Sequence, residues 1–428
     1  PNSRKIFAIF PGAKEIDTLQ TRPNISDACY TLRSPLLGSA MATTPSPLPH
    51  DPTRPPACSW RGLLIDSART FWPVPIMELI ITVMARYHLN ILHWHLTDNA
   101  GWRLPLPGYP ALTSIGAQIP RDPAHWYDHT CAPQRSGTWR TSPAHTTQGF
   151  YSDANIRHLV RFAAQRDVRI IPEISIPSAA GAAIRAYPHL GNPNLTSPQE
   201  DNSTLWPLAS SLQFVEAAFH RACDLFPSPI IHIGIPWTDW SPWERDPRLA
   251  RAGLGSGQDI ERLFIDRATR VLHFHGRRTA AWDSATRAYG STPPGMILLS
   301  SRHNETGDEA ASSSGASWVL ADSDLLALSH PAADPSSPQP PLTARQLADQ
   351  LPPVLHRERL KGVEAVAWST SVTTPDLLFY HLLPRLLVVG EIAWHGDDAL
   401  TWEHLAPRIE REMAYLRQHI PYWTPRRS

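Results

Sequence analysis

Polar and aromatic side chains follow several of the short apolar runs in this sequence of 428 residues. Arg69 comes shortly after one such run, and Asp98 comes shortly after the next, with His95 close before it. A carboxylate or a neutral imidazole can accept a proton, and a guanidinium can stabilise a developing oxyanion. The sequence therefore offers Asp98, His95 and Arg69 as candidate catalytic residues for a proton-transfer reaction.

Eight apolar runs, most of them followed by a helical pattern, must position these side chains. Buried parallel strands have continuous apolar sequences of this kind, so the runs predict an α/β protein. Eight strand–helix units predict a (β/α)8 TIM barrel, in which the chemistry lies at the C-terminal strand ends. A doubly wound sheet is the alternative, but no glycine-rich phosphate loop follows the first run. The predicted strands are 63–65, 91–96, 168–174, 230–234, 278–282, 296–299, 318–320 and 362–368, and the predicted helices are 76–87, 156–166, 214–225, 260–273 and 377–392.

The charge balance and the cysteines limit the expected partners. Lys and Arg together number 39, as do Asp and Glu, which argues against a nucleic-acid binder because such proteins carry a basic excess. No run of about 18 apolar residues is present, so we expect no membrane span. The four cysteines are scattered without metal-type spacing, and we expect no metal and no cofactor. The expected partner is a small-molecule ligand, and the sequence leaves the oligomeric state open.

The first 57 residues differ in composition from the rest of the chain. They contain isolated apolar fragments followed by a stretch rich in proline and serine. We predict a short N-terminal attachment and linker at 1–57 and the barrel at 58–428. The visible N-terminus lacks the layout of a signal peptide, so we expect a cytoplasmic protein, although the chain begins with Pro rather than Met.

Several longer motifs beyond residue 57 follow one another in a recognisable order. They are Trp60–Arg69, His93–Arg103, Tyr109–Thr113, Gly149–Ser152, Pro172–Ile174, His232–Gly234, Trp282–Asp283, Ala367–Trp368 and Leu383–Leu386. This order resembles the catalytic barrel of glycoside hydrolase family 20, the β-N-acetylhexosaminidases. The resemblance implies substrate-assisted hydrolysis, in which the substrate's own acetamido oxygen attacks the anomeric carbon. It also implies an Asp-Glu pair after the fourth strand, which orients the acetamido group and protonates the leaving oxygen.

The matching positions of this chain do not carry that Asp-Glu pair. After His232–Gly234 the resemblance places Pro236 at the orienting Asp and Trp237 at the general acid, and neither side chain transfers a proton. Asp239 follows two residues later, where we expect a loop position facing water. Further family residues are also replaced: Ser175 and Ala179 stand for an Asp and a His, Ser301 for a Trp, Thr370 for a Glu, and 321–326 lacks a Tyr.

Other residues of the family's sugar pocket are retained. The resemblance implies that Arg69 holds sugar hydroxyls. The alternative role for Arg69 and Asp98 is a structural ion pair. The alternative role for the retained tryptophans, Trp102, Trp282 and Trp368, is core packing. Glu364 lies on predicted strand 8, where the family often has Gln, and alternation places it on the same face as Trp368. A buried carboxylate needs a partner, so we expect a pair with a barrel arginine or histidine. The expected ligand-binding set is Arg69, Asp98, Trp102, Trp237, Trp282, Ser301 and Trp368.

The replacements lead to three functional hypotheses. The favoured one is a repurposed enzyme that does not hydrolyse glycosides by the family's mechanism and instead acts on a less polar hydroxylated metabolite. Its reaction would be a dehydration or elimination in secondary metabolism, with Asp98 or His95 as the base and Arg69 stabilising an oxyanion. The second hypothesis is a non-catalytic carbohydrate-binding protein. The third is a residual β-N-acetylhexosaminidase.

Overall fold

A computed structural model describes residues 46, 48, 53–118, 148–195, 202–300, 317–321, 325–329, 342–352, 355, 359–370 and 372–420. Eight parallel strands pair in chain order, and the first also pairs with the last, which closes a barrel. The predicted (β/α)8 barrel is confirmed. The strands are β1 (Trp60–Asp66), β2 (Ile91–His95), β3 (Arg169–Ile176), β4 (Ile230–Gly234), β5 (Arg278–Trp282), β6 (Ile297–Ser300), β7 (Trp318–Leu320) and β8 (Leu360–Ala367).

Helices follow most of the strands. Among them are α1 (Val74–Arg86), α2 (Ala111–Ser114), α3 (Asp153–Ala164), α4 (Gly181–Ala186), α5 (Ala209–Leu225), α6 (Ser241–Glu244), α7 (Pro247–Arg251), α8 (Gly257–Phe274), α9 (Thr286–Tyr289), α10 (Ala344–Gln350), α11 (Pro375–Leu382), α12 (Arg385–His395) and α13 (Trp402–His419). The predicted helix 377–392 is two helices, because Pro384 has no amide hydrogen to donate to a continuous helix. No single helix in the described ranges has the length and hydropathy of a membrane span, although the bent pair Pro375–Leu382 and Arg385–Asp398 passes that test together.

Strand alternation divides the side chains between two layers. On β2, Ile91 belongs to the cluster inside the barrel, whereas Leu92 and Trp94 belong to the larger cluster between the strands and the helices. The inner cluster also contains Leu64, Ile171, Ile297, Leu299 and Val366. Successive strand residues point to opposite faces, so the inner positions of β2 after Ile91 are those of His93 and His95. The barrel interior is therefore apolar in part and strongly polar in part.

A glycine sets the close approach of two neighbouring strand ends. Gly234, the last residue of β4, has a φ of +74°, and a Cβ there would lie 2.6 Å from the Cα of Ser175 on β3. Glycine alone adopts this conformation without a steric penalty. The loop that leaves β4 is thereby directed over the end of the barrel. The domain boundary at residue 57 stays a prediction, and most of residues 1–57 lie outside the described ranges.

Candidate active site at the barrel mouth

An arginine clamped between two carboxylates joins the ends of the first two strands. The side chain of Asp66 accepts hydrogen bonds from the backbone amides of Ala68 and Arg69, both at 3.0 Å, and so fixes the turn after β1. The Arg69 guanidinium then lies 2.9 Å from Asp66 Oδ2 and 2.8 Å from Asp98 Oδ2. Arg69 is 6% exposed and Asp98 is 3% exposed. The Arg69–Asp98 pair is therefore almost fully buried at the end of the barrel.

Two tryptophans from later strands complete this end of the barrel. The Arg69 guanidinium lies 5.0 Å from the ring centre of Trp368, which follows β8. The rings of Trp368 and Trp282 are 5.8 Å apart, and Trp282 ends β5. We call Arg69, Asp98, Trp282 and Trp368 the mouth. These four residues of the expected ligand-binding set converge in the structure, whereas their role in ligand binding stays a prediction.

A continuous chain of ionisable side chains runs from the mouth into the barrel. His95 Nε2 lies 2.9 Å from Asp98 Oδ2, and His95 Nδ1 lies 2.7 Å from Glu173 Oε2. Glu173 Oε2 is also 3.2 Å from His93 Nε2, and His93 Nδ1 is 2.7 Å from Glu364 Oε1. All five side chains are buried. We call Asp98, His95, Glu173, His93 and Glu364 the interior chain; it confirms the predicted pairing of Glu364 with a barrel histidine.

The interior chain alternates positive and negative groups. Burial favours the neutral form of His95, but Glu173, Asp98 and Asp66 more than offset this effect and raise its pKa to about 10. Burial opposes the charged form of His93 as well, yet the neighbouring glutamates raise its pKa to about 9. Burial would raise the pKa of Glu173, but the surrounding histidines hold it well below its usual range. His95 thus donates from both nitrogens, which does not suit the expected role of a base.

The inner part of this network has the donor types of a metal site. One ligand atom from each of His93, Glu173 and His232 lies within 4.8 Å of the others. Burial lowers the pKa of His232, so its ring is neutral, and its Nδ1 accepts a hydrogen bond of 3.1 Å from the Gly234 amide. However, Glu173 already has its charge balanced by His95 and accepts a hydrogen bond of 2.9 Å from Trp282 Nε1. These residues are the ones that would hold a metal, but their ion pairs compensate their charges without one.

Trp102, another residue of the expected ligand set, is not part of the mouth. Trp102 packs 5.5 Å from the ring of Phe214 on α5 and donates from Nε1 to the carbonyl of Leu104 at 2.6 Å. It belongs to the outer hydrophobic layer, so its expected place in the pocket is corrected: the residues after Asp98 turn back toward the helices. Ser301 lies outside the described residues.

The loop after β4 brings Trp237 to the surface near the mouth. Ser178 Oγ, beyond β3, lies 3.0 Å from Thr238 Oγ1, and Ser284, beyond β5, donates to the carbonyl of Ile235. These contacts hold the loop between the ends of the two neighbouring strands. Trp237 is 53% exposed and therefore does not fill a closed pocket.

Two carboxyl groups lie close to this loop, and neither is placed to protonate a substrate. Asp239 accepts a hydrogen bond of 3.0 Å from the Ser241 amide, and bonds to Ser241 lower its pKa, so it is ionised. Burial raises the pKa of Glu261 on α8, which favours its protonated form. Both oxygens of Glu261 are buried, however, so its carboxyl group is not open to a ligand.

The sequence and the fold match a known family over most of their length. Residues 58–397 match the model described as glycosyl hydrolase family 20, catalytic domain. This chain belongs to glycoside hydrolase family 20. The family 20 chain is 28% identical to a β-hexosaminidase of Porphyromonas gingivalis over 391 residues, which cover 86% of this chain and 47% of the relative. It is also 28% identical to a β-N-acetylhexosaminidase of Cellulomonas fimi, covering 92% of this chain and 74% of the relative.

Solved structures show the same relationship. An exo-β-N-acetylglucosaminidase of Vibrio harveyi, determined in complex with N-acetylglucosamine, superposes with a TM-score of 0.72 at 26% identity. The alignment covers 88% of the family 20 chain and 62% of the V. harveyi chain. The chain therefore spans about half of the P. gingivalis relative and somewhat under two thirds of the V. harveyi structure.

These findings correct the favoured functional hypothesis. The family model describes a glycosyl hydrolase, and the relatives are named β-hexosaminidase and β-N-acetylhexosaminidase. None of these matches supports a dehydration or elimination on an apolar metabolite. They also give no support to a loss of hydrolytic activity. The geometry agrees with the correction, because His95 and Arg69, two of the three expected catalytic groups, are engaged in ion pairs with Asp98, the third.

Proposed function

We propose that the family 20 chain acts on terminal, β-linked N-acetylhexosamines and binds the terminal sugar at Arg69 and Asp98. The observation that carries the proposal is the convergence of this charged pair with Trp282 and Trp368 at one end of the barrel. A guanidinium beside a carboxylate offers donors and acceptors to neighbouring hydroxyls, and the indole rings offer apolar surface to the sugar. The N-acetylglucosamine bound to the V. harveyi relative supports the same ligand class.

We also propose that Pro236 and Trp237 occupy the positions of the family's Asp-Glu pair. Support comes from the His-Ile-Gly sequence that ends β4, with one residue between it and Pro236, and from Trp243 and Pro247, which keep the family's downstream spacing. Proline and tryptophan side chains supply no acidic proton for a leaving oxygen. The two carboxyl groups beside the loop do not replace them, because Asp239 is ionised and Glu261 is buried.

The proposed reaction is therefore hydrolysis without a dedicated general acid. Proton transfer by a positioned side chain contributes a factor of about a hundred to ten thousand to the rate. That contribution is lost for a sugar or alkyl leaving group, which departs as a strong base. It matters much less for an aryl leaving group such as nitrophenolate, a stable anion. We thus propose a β-N-acetylhexosaminidase that favours aglycones able to leave without protonation.

Turnover of two N-acetyl-β-glucosaminides tests the proposal, one with a 4-nitrophenyl aglycone and one with a methyl aglycone. We expect measurable hydrolysis of the nitrophenyl substrate and a rate on the methyl substrate at least about a hundred-fold lower. Asp239→Asn should leave both rates unchanged, because its carboxylate bonds to its own loop. Asp98→Asn should lower the nitrophenyl rate, because it removes a charge from the sugar-binding pair.

Two outcomes would contradict the proposal. Similar rates on the two substrates would show that an acid is present and that Pro236 and Trp237 are assigned to the wrong positions. No turnover of either substrate, with N-acetylglucosamine still bound, would show that the chain binds the sugar without hydrolysing it.

A further inference from the structure

An exposed indole at the end of the barrel is held in place by a partly buried arginine, Arg287. The guanidinium carbon of Arg287 lies 3.6 Å from the ring centre of Trp237 and 4.2 Å from the ring centre of Trp240. Its Nη1 also donates to the carbonyl of Thr238 at 3.2 Å. We call Trp237, Arg287 and Trp240 the indole stack. Arg287 comes from α9, just beyond β5, so two neighbouring strand ends contribute to the stack.

The stack leaves one large apolar surface open to solvent. Trp237 is 53% exposed, whereas Trp240 is only partly exposed and Trp243, in α6, is 1% exposed. Cation–π contact restrains the Trp237 ring. The hydrogen bonds of Ser178 to the Thr238 hydroxyl and of Ser284 to the Ile235 carbonyl restrain the residues on either side of it. A ring that is already fixed loses little conformational entropy when a ligand covers it. The surface is therefore prepared for contact with a flat apolar partner.

We propose that Trp237 is a stacking surface for the ring next to the terminal sugar, that is, for the second pyranose of a β-linked N-acetylglucosamine oligosaccharide. This inference rests on the proposed function, which places the terminal sugar at the mouth and Trp237 where the leaving oxygen would otherwise meet an acid. A β-linked pyranose with equatorial substituents has an apolar face of axial C–H groups. That face matches the π surface of an indole, which is apolar and electron-rich.

The experiment compares the affinities of two ligands by calorimetry. The ligands are N-acetylglucosamine and a β-1,4-linked N-acetylglucosamine disaccharide with sulfur in place of the bridging oxygen, which resists cleavage. For the wild-type protein we expect the disaccharide to bind about ten-fold more tightly, a difference of about 1.4 kcal/mol. Trp237→Ala should remove this advantage, so the disaccharide should lose about ten-fold more affinity than the monosaccharide. Trp237→Phe should retain part of the advantage.

Matched variants separate stacking from general effects. Phe274 at the end of α8 is also an exposed aromatic residue, with 81% exposure, so Phe274→Ala should change neither affinity. Arg287→Leu should weaken only the disaccharide, because it frees the Trp237 ring. Circular dichroism and thermal unfolding establish that each variant is folded.

Three results would overturn the inference or its foundation. An unchanged disaccharide advantage in Trp237→Ala would refute the stacking surface while leaving the proposed function intact. An equal loss of affinity for both ligands would place Trp237 in the terminal site instead. Failure of the wild-type protein to bind either ligand would refute the proposed function, and the stacking surface with it.

Discussion

Arg69 is the residue on which the geometry of the mouth depends. It neutralises Asp66, which is fully buried, and Asp98, and it lies over Trp368. Removing one partner from a buried ion pair leaves an uncompensated charge, which costs about 3–5 kcal/mol. Arg69→Met should therefore lower the free energy of unfolding in urea by about that amount.

A surface pair provides the control for this prediction. Arg54 lies 3.2 Å from Asp398, and both side chains are largely exposed, at 73% and 75%. Exposed ion pairs contribute about 0–1 kcal/mol, so Arg54→Met should change the unfolding free energy little. Similar effects of the two substitutions would mean that Asp66 and Asp98 are well solvated, contrary to the structure.

The interior histidines predict a loss of stability at alkaline pH. The pKa is raised to about 10 for His95 and to about 9 for His93, above the unfolded value of about 6.5. Between the unfolded and folded values the native state binds more protons than the unfolded state, so the unfolding free energy falls as pH rises. Each histidine contributes a slope of at most about 1.4 kcal/mol per pH unit.

Urea unfolding at several pH values between 7 and 10 measures this slope. His95→Gln should flatten it, so the difference in stability between wild type and variant should shrink as pH rises. His158→Gln is the control, because His158 pairs with Glu78 at a largely exposed position. A wild-type stability that does not change over this pH range would contradict the alternation of charges in the interior chain.

At the scale of elements, Gly234 determines how β4 meets β3. A Cβ at Gly234 would lie 2.6 Å from the Ser175 Cα, in a backbone conformation that already disfavours side chains. Gly253 has a similar φ of +80°, but nothing lies within 4 Å of its Cβ position. Gly253→Ala should cost about 1–2 kcal/mol from backbone strain alone. Gly234→Ala should cost at least about 1 kcal/mol more, because the backbone of β3 must move.

Equal unfolding free energies for the two alanine variants would show that β3 yields to the added methyl group without cost. A displaced β3 would also move Ser178, which contacts the loop that carries Trp237. We therefore expect Gly234→Ala to reduce the disaccharide advantage as well, and Gly253→Ala to leave it unchanged.

Strands were the elements that the sequence predicted best. The predicted runs 230–234, 278–282 and 318–320 coincide with β4, β5 and β7, because parallel strands buried on both faces must be apolar throughout. Alternation along β8 also predicted that Glu364 is buried, and its charge predicted a partner, either an arginine or a histidine; that partner is His93. Strand alternation did not predict the position of Trp102. It lies in a turn after β2, where no period-2 rule assigns a face, and tertiary packing against Phe214 decided its direction.

The contacts of Arg287 were not predictable from the sequence. Arg287 is 50 residues away from Trp237 in the sequence, and the residues beside Arg287 do not indicate which aromatic ring it contacts. Only the pairing of β4 with β5 brings the ends of these two strands side by side. The contact between His95 and Glu173 was not predicted for the same reason: the two residues come from separate strands, and only the strand register places them directly opposite each other.

At the scale of the whole molecule, polar contacts connect the two ends of the barrel. Trp60, the first residue of β1, donates from Nε1 to Glu364 Oε2 at 2.9 Å, and the interior chain continues from Glu364 to the mouth. Every residue of the interior chain is buried and forms an ion pair with its neighbour in the chain. These ion pairs hold the side chains of the mouth in fixed positions. A sugar bound there would meet groups whose positions are already fixed, so little reorganisation would oppose binding.

A crystal structure with N-acetylglucosamine tests this account most directly. We expect the sugar at the mouth, with ring hydroxyls within about 3.2 Å of Arg69 and Asp98 and with its apolar face toward Trp282 or Trp368. The Arg69–Asp98 contact should persist, and crystals of Asp98→Asn grown under the same conditions should contain little or no sugar. Sugar bound elsewhere on the barrel, or a mouth that stays empty at saturating concentration, would contradict the central claim.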